Sequence, residues 1–228
     1  MMTKVTKGST KNRQVLTDEV YESIKSLLMD HVILPGARLS IDGLARDLKV
    51  SQTPVREALA RLEADELVVR KPLTGYSSTP VLTLKELLDL YDFRFMIEPR
   101  ATELATKKLT IEGEKRLKTE LSTGRKISPG GNYAAYRTLS EHDARFHNLI
   151  LELSTNTFME SSFIKTHCHL HIFRMSPTSA ANRNLAVKEH GEIVKAMLSR
   201  DPQAARVAML KHLMGSRERF LPYLLEMP

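Results

Sequence analysis

The sequence lacks the features that mark secreted, disulfide-bonded and membrane-spanning proteins. It contains a single cysteine, Cys168, so no intrachain disulfide can form, and the reducing cytoplasm is the expected location. Its apolar runs are too short to cross a bilayer, and its polar, basic first residues have no apolar core behind them. We therefore expect neither a membrane anchor nor a secretory signal. Glycine and proline are sparse, at 10 residues each, and alternation of apolar and polar residues is rare, which disfavours a sheet-rich fold.

The composition that remains is that of a helical globular protein. Of 228 residues, 42% are hydrophobic and 27% charged, which is enough apolar material for one or two domains with their own cores. Leu, Ala, Glu, Lys and Arg are abundant and favour a mostly α fold. The formal net charge of +7 permits an acidic partner such as DNA, although many basic proteins bind no nucleic acid.

The first segment, residues 1–14, is basic and has no acidic side chain; its charged residues are Lys4, Lys7, Lys11 and Arg13. This composition predicts a flexible basic arm. Such an arm either adds contacts to DNA phosphates or is a solvated tail, and the residues alone do not separate the two.

The next segment has the outline of a winged helix-turn-helix. Thr17, Ser40 and Ser51 are each suited to cap a helix, because their hydroxyl oxygens can accept a bond from a free backbone N–H. Short strands are expected on both sides of a turn at 71–75. Three helices followed by a small hairpin predict a winged DNA-binding domain over residues 15–78.

The predicted DNA contacts lie around the start of the third helix and in the hairpin. They are Arg46, Ser51, Gln52, Thr53, Arg56, Arg70, Lys71 and Gly75. A recognition helix presents its N-terminal residues to base edges, and Arg56 can bond two acceptors of one guanine. Arg70 and Lys71 are placed for a backbone or minor-groove contact. A helical hairpin that touches only protein is the alternative that the residues leave open.

After a linker near 77–83, the sequence predicts an all-helical domain for effector binding and dimerisation over residues 79–228. Helices are expected near 83–108, 110–126, 132–154, 157–175, 180–199 and 202–224. Breaks are expected at Ser128–Gly131, Ser154–Asn156, Ser176–Pro177 and Asp201–Pro202. Six helices with short connections predict an antiparallel bundle.

Polar, metal-competent side chains fall on the apolar stripes of three of these helices. Asp143 and His147 share the stripe of the helix at 132–154, and His190 and His212 lie on the stripes of the two later helices. A buried carboxylate is costly unless it is paired or metal-bound, and one carboxylate with three imidazoles suits Zn²⁺, Ni²⁺ or Mn²⁺. Any one inward histidine is more simply a hydrogen-bonded core residue, but the four positions together favour a metal site.

Two further groups allow more than one interpretation. His167, Cys168, His169 and His171 could ligate a second metal or simply line a surface or pocket, with His167 the member expected to face the cavity. Arg94 and Glu98 lie one helical turn apart and are suited to a local ion pair.

The stretch at 44–63 resembles the GntR family of bacterial regulators, through its Ser-X-Thr-Pro-Val-Arg-Glu-Ala-Leu core at 51–59. The resemblance implies a homodimer that reads a short palindrome, with the recognition helix in the major groove and the wing tip nearby. Two positions depart from the family pattern. Gln52 stands where members commonly have Arg, and Glu66 stands where glycine is usual and a positive φ is expected.

The C-terminal half resembles the FCD effector domain of the FadR-like branch, whose metal-binding members carry Asp-X3-His on one helix and single histidines on two later helices. That pattern falls on Asp143–His147, His190 and His212. It implies that Arg94 clamps a carboxylate ligand, with Arg174 a weaker candidate.

Residues and resemblance together predict a ligand-responsive repressor that binds a divalent metal and a small organic acid. Three alternatives stay open: the metal itself as effector, a purely structural metal with another effector pocket, and a metal-dependent enzyme. We do not expect an enzyme, because no motif supplies a separate general base.

Overall fold

The structure, a computed structural model, describes residues 7–127, 133–175 and 180–225. The breaks predicted at 128–131 and at Ser176–Pro177 lie outside these residues. The chain divides into two compact units, 1–81 and 82–228. Among the residues that the structure describes, no helix is long and apolar enough to cross a membrane.

The first unit contains three helices and a small antiparallel sheet. Its elements are α1 (Lys7–Met29), β1 (Arg38–Leu39), α2 (Ile41–Asp47), α3 (Gln52–Ala64), β2 (Val68–Lys71) and β3 (Gly75–Ser78). The strand order is β1-β3-β2. The predicted hairpin is therefore present, and β1 adds a strand that sequence patterning did not predict. A two-residue strand is too short to show alternation.

The N-terminal helix differs from the prediction. It begins at Lys7, so the segment expected to be a flexible arm is helical from that residue onward, and residues 1–6 lie outside the description. Thr17 does not cap α1, because it lies inside the helix. Its buried hydroxyl instead donates to Glu57 Oε2 at 2.9 Å. Ser40 caps α2 as predicted, accepting from the Gly43 amide. Ser51 occupies the N-cap position of α3, but its side chain makes no capping bond.

Apolar packing between α1 and α3 stabilises this unit. Ile24 and Leu28 of α1, with Val55, Leu59 and Leu62 of α3, are completely buried. Burying each such side chain contributes about 1.5–3 kcal/mol. The packing leaves the N-terminal turn of α3 exposed on the opposite side of the helix.

The second unit consists of helices joined by short turns, with no strand among its described residues. Its elements are α4 (Leu84–Lys107), α5 (Ile111–Arg125), α6 (Tyr133–Leu153), α7 (Thr157–Ile164), α8 (Cys168–Met175), α9 (Ala180–Leu198) and α10 (Pro202–Leu225). The single helix predicted over 157–175 is wrong. His167 has a φ of 43°, a left-handed conformation that interrupts the helical hydrogen-bond ladder between α7 and α8.

Two apolar clusters pack the helices of this unit. One includes Leu117, Phe146 and Met197, and the other includes Tyr91 and Phe163. Phe146 stacks on His190 with a ring distance of 4.0 Å, and the ring of Phe163 lies 5.7 Å from that of His169. Polar residues therefore lie where the two clusters meet.

Candidate metal centre and nucleic-acid interface

The most polar part of the second unit's interior is a cluster contributed by three helices. It consists of Asp143 and His147 of α6, His190 of α9 and His212 of α10, and we call it the Asp–His cluster. One ligand atom from each residue lies within 4.8 Å of the others, and all four residues are buried. The first two are four residues apart, so the α-helix presents them on one face. The structure thus brings together the four residues singled out in the sequence.

The shorter distances within the Asp–His cluster are those expected between ligands of one small ion. The Nε2 atoms of His147 and His212 are 3.3 Å apart. Asp143 Oδ1 lies 3.4 Å from His190 Nε2 and 3.9 Å from His147 Nε2. Because Zn–N bonds are about 2.0–2.1 Å, two ligands of a tetrahedral ion are roughly 3.3 Å apart.

Outer carboxylates fix the tautomers of two of the histidines. Glu98 accepts a hydrogen bond from His147 Nδ1, and Glu189 Oε2 accepts one from His212 Nδ1 at 2.8 Å. An ionised carboxylate only accepts hydrogen bonds, so in a neutral imidazole that donates to it the Nδ1 carries the proton and the Nε2 presents a lone pair. Two lone pairs that face each other at 3.3 Å repel unless a cation lies between them. This geometry fits a metal ion.

His190 completes the set of inward nitrogens. Its Nδ1 lies 3.2 Å from Nε2 of His142, while its own Nε2 is buried and makes no hydrogen bond within the described structure. A buried polar atom without a partner costs about 1–3 kcal/mol. A metal ion is the partner that would satisfy this nitrogen.

The ionisation of the cluster favours metal binding. Burial lowers the pKa of His147 to about 4 and holds the pKa of His190 well below its usual value, so both rings are neutral near pH 7. Burial alone would raise the pKa of Asp143, but the hydrogen bond from His169 holds that pKa well below its usual value. Neutral imidazole and ionised carboxylate are the forms that bind metals.

Several residues around the cluster were not identified from the sequence. His169 Nδ1 bonds Asp143 Oδ2 at 2.8 Å, so His169, rather than His167, is the member of the 167–171 group beside the cluster. Burial would lower the pKa of His169, but Cys168 and Asp143 raise it to about 10. Glu189 and His142, too, have no local sequence signal, because their partners lie 23 and 48 residues away in the chain.

The predicted effector contacts occupy different positions. Arg94 is almost fully buried and forms the expected pair with Glu98, Nε to Oε1 at 2.6 Å, while its Nη2 has no hydrogen-bond partner among the described residues. Burial would raise the pKa of Glu98, but Arg94 and His147 hold it below its usual value. Arg174 is buried in the last turn of α8, and burial lowers its pKa to about 10. His167 is half-buried in the turn before α8.

The predicted DNA contacts are all exposed in the first unit, on or beside α2, α3 and the β2–β3 hairpin. At the start of α3, Gln52 donates from Nε2 to Asp42 at 2.5 Å and accepts from Arg56 Nη2 at 3.1 Å. The guanidinium of Arg70 lies over the Tyr76 ring at 5.9 Å. These side chains form a polar surface with donors at the helix start and in the wing.

Two turns of this unit contain left-handed residues, one of which the sequence indicated. Glu66, between α3 and β2, has a φ of 58°, as expected for a position where glycine is usual. At the wing tip, Leu73 has a φ of 65° and Gly75 a φ of 84°. Leu73 and Gly75 reverse the chain between β2 and β3.

Comparisons with known proteins match both halves of the chain. Residues 16–76 match the family described as bacterial regulatory proteins, gntR family, and residues 89–215 match the FCD domain. An uncharacterised HTH-type transcriptional regulator of Bacillus subtilis, YdhC, is 25% identical over 85% of this chain and 86% of that protein. The Nta operon transcriptional regulator of Aminobacter aminovorans is 27% identical over 82% of this chain and 86% of its own length.

A solved structure shows the same fold. The crystal structure of a putative GntR transcriptional regulator from Rhodococcus sp. RHA1 superposes with a TM-score of 0.66 and 22% identity, covering 90% of this chain and 97% of that one. At this identity the likeness supports the fold and carries no residue-level function.

Proposed function

The chain belongs to the GntR family of bacterial transcriptional regulators and has an FCD effector domain, and we propose that a divalent metal ion and a small carboxylate together control its binding to operator DNA. The observation that carries the proposal is the pair of Nε2 lone pairs of His147 and His212, which face each other at 3.3 Å. Nothing but a shared cation or proton makes that arrangement favourable in a buried site.

The donor set indicates which metals are candidates. One carboxylate oxygen and three imidazole nitrogens suit Zn²⁺ first, with Ni²⁺ and Mn²⁺ as alternatives. The ion would be held by the Asp–His cluster, with Glu98 and Glu189 orienting two of the ligands from outside. When bound, such an ion supplies a positive centre that attracts carboxylate oxygens. It also links α6, α9 and α10.

A small organic acid is the ligand class that the surroundings favour. Arg94 is buried with one unpartnered Nη2, and His169 has a buried Nε2 with no hydrogen bond to the described residues. Buried donors of this kind are costly unless an acceptor fills them, and a carboxylate offers two acceptor oxygens. We assign Arg94 as the main carboxylate clamp with His169 beside it, and predict Arg174 as a further contact.

The DNA-binding unit would act as one half of a homodimer on a short palindrome. Gln52, Thr53 and Arg56 would enter the major groove from the start of α3, and Ser51 and Arg46 would contact the flanking phosphates. Arg70, Lys71 and Gly75 would bring the wing to the DNA backbone or minor groove. The protein would then work in the cytoplasm, as a repressor whose operator affinity falls when the acid binds. The acid changes this affinity only to the extent that it binds the two states differently.

Metal analysis of the purified protein, followed by operator binding, tests the proposal. We expect about one divalent ion per chain, its loss in His212→Ala, and its retention in His31→Asn, which removes a histidine from the other unit. Titration with a panel of small carboxylic acids should weaken operator binding of the metal-loaded protein and not of Arg94→Ala. Full operator response to an acid after complete chelation would remove the metal from the scheme.

A second candidate, the metal itself as effector, is favoured by one observation. Four protein donors are enough to close a tetrahedral site without an open position for an acid. Titrating metal into the stripped protein without any acid distinguishes the two. A change in operator affinity driven by metal alone would favour this candidate.

A further inference from the structure

We propose that His142 and Glu120 form a positioning pair that fixes the tautomer of the metal ligand His190 and thereby sets the affinity of the Asp–His cluster for its ion. The inference rests on the proposed metal site. It assigns a role to two residues outside the cluster, one of which is at the protein surface.

The pair is defined by two consecutive hydrogen bonds. His142 Nε2 lies 3.2 Å from His190 Nδ1, and His142 Nδ1 lies 2.7 Å from Glu120 Oε1. The His142 side chain is completely buried, whereas that of Glu120 keeps 16% of its surface exposed. The chain of contacts therefore runs from the buried cluster through one imidazole to a carboxylate at the surface.

The carboxylate at the outer end determines where the protons lie. An ionised Glu120 only accepts, so a neutral His142 that donates to it from Nδ1 accepts at Nε2. His190 must then donate from Nδ1, which leaves the lone pair on its Nε2, the atom that faces Asp143 at 3.4 Å. Removing either member of the pair frees His190 to adopt the other tautomer, in which Nε2 carries a proton and cannot bind a metal.

The other two histidines of the cluster show that this orientation is a common feature. His147 and His212 each donate Nδ1 directly to a glutamate, Glu98 or Glu189. For His190 the same role is divided between His142 and Glu120. All three ligand nitrogens are thus oriented by carboxylates. Of these carboxylates, that of Glu120 lies on α5 and lines a surface groove.

A glycine on α5 provides the space for the pair. A Cβ placed on Gly124 would meet three atoms of the His142 ring, the farthest at 2.9 Å. Real Cβ atoms do not approach neighbours so closely, and His142 cannot move away without breaking its two hydrogen bonds. Because Gly124 has no side chain, the His142 ring can lie against α5.

Arg145 holds the outer end in place. Its Nε lies 3.2 Å from both carboxylate oxygens of Glu120. Glu120 and Arg145 both line the groove between α5 and α6, so solvent reaches them. Glu120 can therefore be replaced with little risk to the core, and it is the variant on which the test depends.

The test measures metal affinity by competition with a chromophoric zinc chelator. For Glu120→Ala and His142→Phe we expect affinity to fall roughly 10- to 100-fold, the usual effect of removing an outer partner of a ligand. Glu120→Gln, which keeps an acceptor oxygen but not the negative charge, should recover part of this loss. Glu152→Ala is the matched control, because Glu152 lines the same groove and pairs only with Arg116 among the bonds described. We expect it to change affinity less than twofold.

The tautomer itself gives a readout that a purely structural role would not produce. Long-range ¹H–¹⁵N spectra of the metal-free protein should show His190 protonated at Nδ1 in the wild type and in Glu152→Ala. Glu120→Ala should populate the Nε2-protonated form. If His142→Phe fails to fold, the Glu120 variants still decide the question.

Two results would overturn the inference: zinc affinity of Glu120→Ala within twofold of wild type, or an unchanged His190 tautomer in that variant. Failure of the proposed function has a different signature, because the wild type would then bind no zinc. The tautomer spectra of the metal-free protein would still test the positioning pair in that case.

Discussion

At the scale of single residues, the two ring nitrogens of each histidine in the Asp–His cluster have different roles. The Nδ1 nitrogens of His147 and His212 are anchored to glutamates, and their Nε2 nitrogens meet at 3.3 Å. In metal sites, the second ring nitrogen of a ligating imidazole almost always donates to a carboxylate, a carbonyl or water, which fixes the ring's orientation. The outer glutamates are therefore part of the site's chemistry, although they contribute no ligand atom.

Replacing Glu189 with glutamine tests this at one position. Glu189 accepts from His212 at 2.8 Å and is held by Arg219 through bonds of 2.9 and 2.8 Å. We expect Glu189→Gln to weaken zinc binding about tenfold, because the neutral amide polarises His212 less than a carboxylate does. Equilibrium competition with a chelator measures the change. Glu192→Gln, an exposed residue of the same helix, should leave the affinity unchanged, and equal losses in both variants would contradict the assignment.

The backbone of Glu66 is left-handed, with a φ of 58°. A residue with a Cβ pays about 1–2 kcal/mol to adopt this conformation, and glycine does not. Allowing for the greater freedom of glycine when unfolded, we expect Glu66→Gly to raise the free energy of unfolding by about 0.5–1 kcal/mol. Urea denaturation of the full chain measures it. Glu66→Ala, which keeps the strained backbone, should show no gain, and a gain of the same size would indicate a side-chain effect instead.

At the scale of elements, α3 separates its structural face from its functional one. Val55, Leu59 and Leu62 are completely buried, while Gln52 and Arg56 are exposed one turn apart. The bond between these two side chains, at 3.1 Å, holds the Arg56 guanidinium at the start of the helix. A substitution on the exposed face of α3 can therefore change an operator contact without disturbing the core.

We expect Arg56→Ala to lower the affinity for the operator by about 1–3 kcal/mol, or roughly 5- to 150-fold, and to relax base preference at one position of each half-site. Fluorescence anisotropy with operator variants measures both effects. Lys71→Ala should instead weaken binding equally for all sequences and reduce its salt dependence. Arg100→Ala, which removes the same charge from the other unit, is the control, and an equal loss in that variant would assign the effect to net charge.

The break between α7 and α8 could not be predicted from the local sequence pattern. The sequence at 157–175 is apolar enough for one helix, but the chain turns at His167 and forms two. The turn brings His169 of α8 to within 2.8 Å of Asp143 on α6. A continuous helix would have placed a different face of this segment against α6, so the break decides which histidine reaches the cluster.

At the largest scale, the chain forms two compact units, the first containing the match to the gntR family and the second the match to the FCD domain. The Asp–His cluster joins α6, α9 and α10 of the second unit at one point. A ligand that binds only the folded state stabilises it in proportion to the logarithm of its concentration. The metal is therefore expected to stabilise the second unit directly.

Chelation tests this expectation. At a free metal concentration about a thousand times its dissociation constant, binding contributes about 4 kcal/mol to the folded state. Removing the ion should lower the melting temperature of the second unit, measured by differential scanning calorimetry, and leave the transition of the first unit in place. His212→Ala should melt at the lower temperature with or without chelator. A chelator-sensitive melt in that variant would show that the ion binds elsewhere.

Sequence patterns were sufficient to predict a mostly helical chain in two parts, the winged helix-turn-helix and the four members of the Asp–His cluster. These follow from local chemistry: helical periodicity, capping residues, and polar side chains on apolar stripes. Other features became visible only in the folded structure: the outer partners Glu98, Glu189, His142 and Glu120, the turn at His167, and the extra strand β1. Each of these depends on contacts between residues far apart in the chain, and the direction in which two helices face one another is set by the packing of all the others.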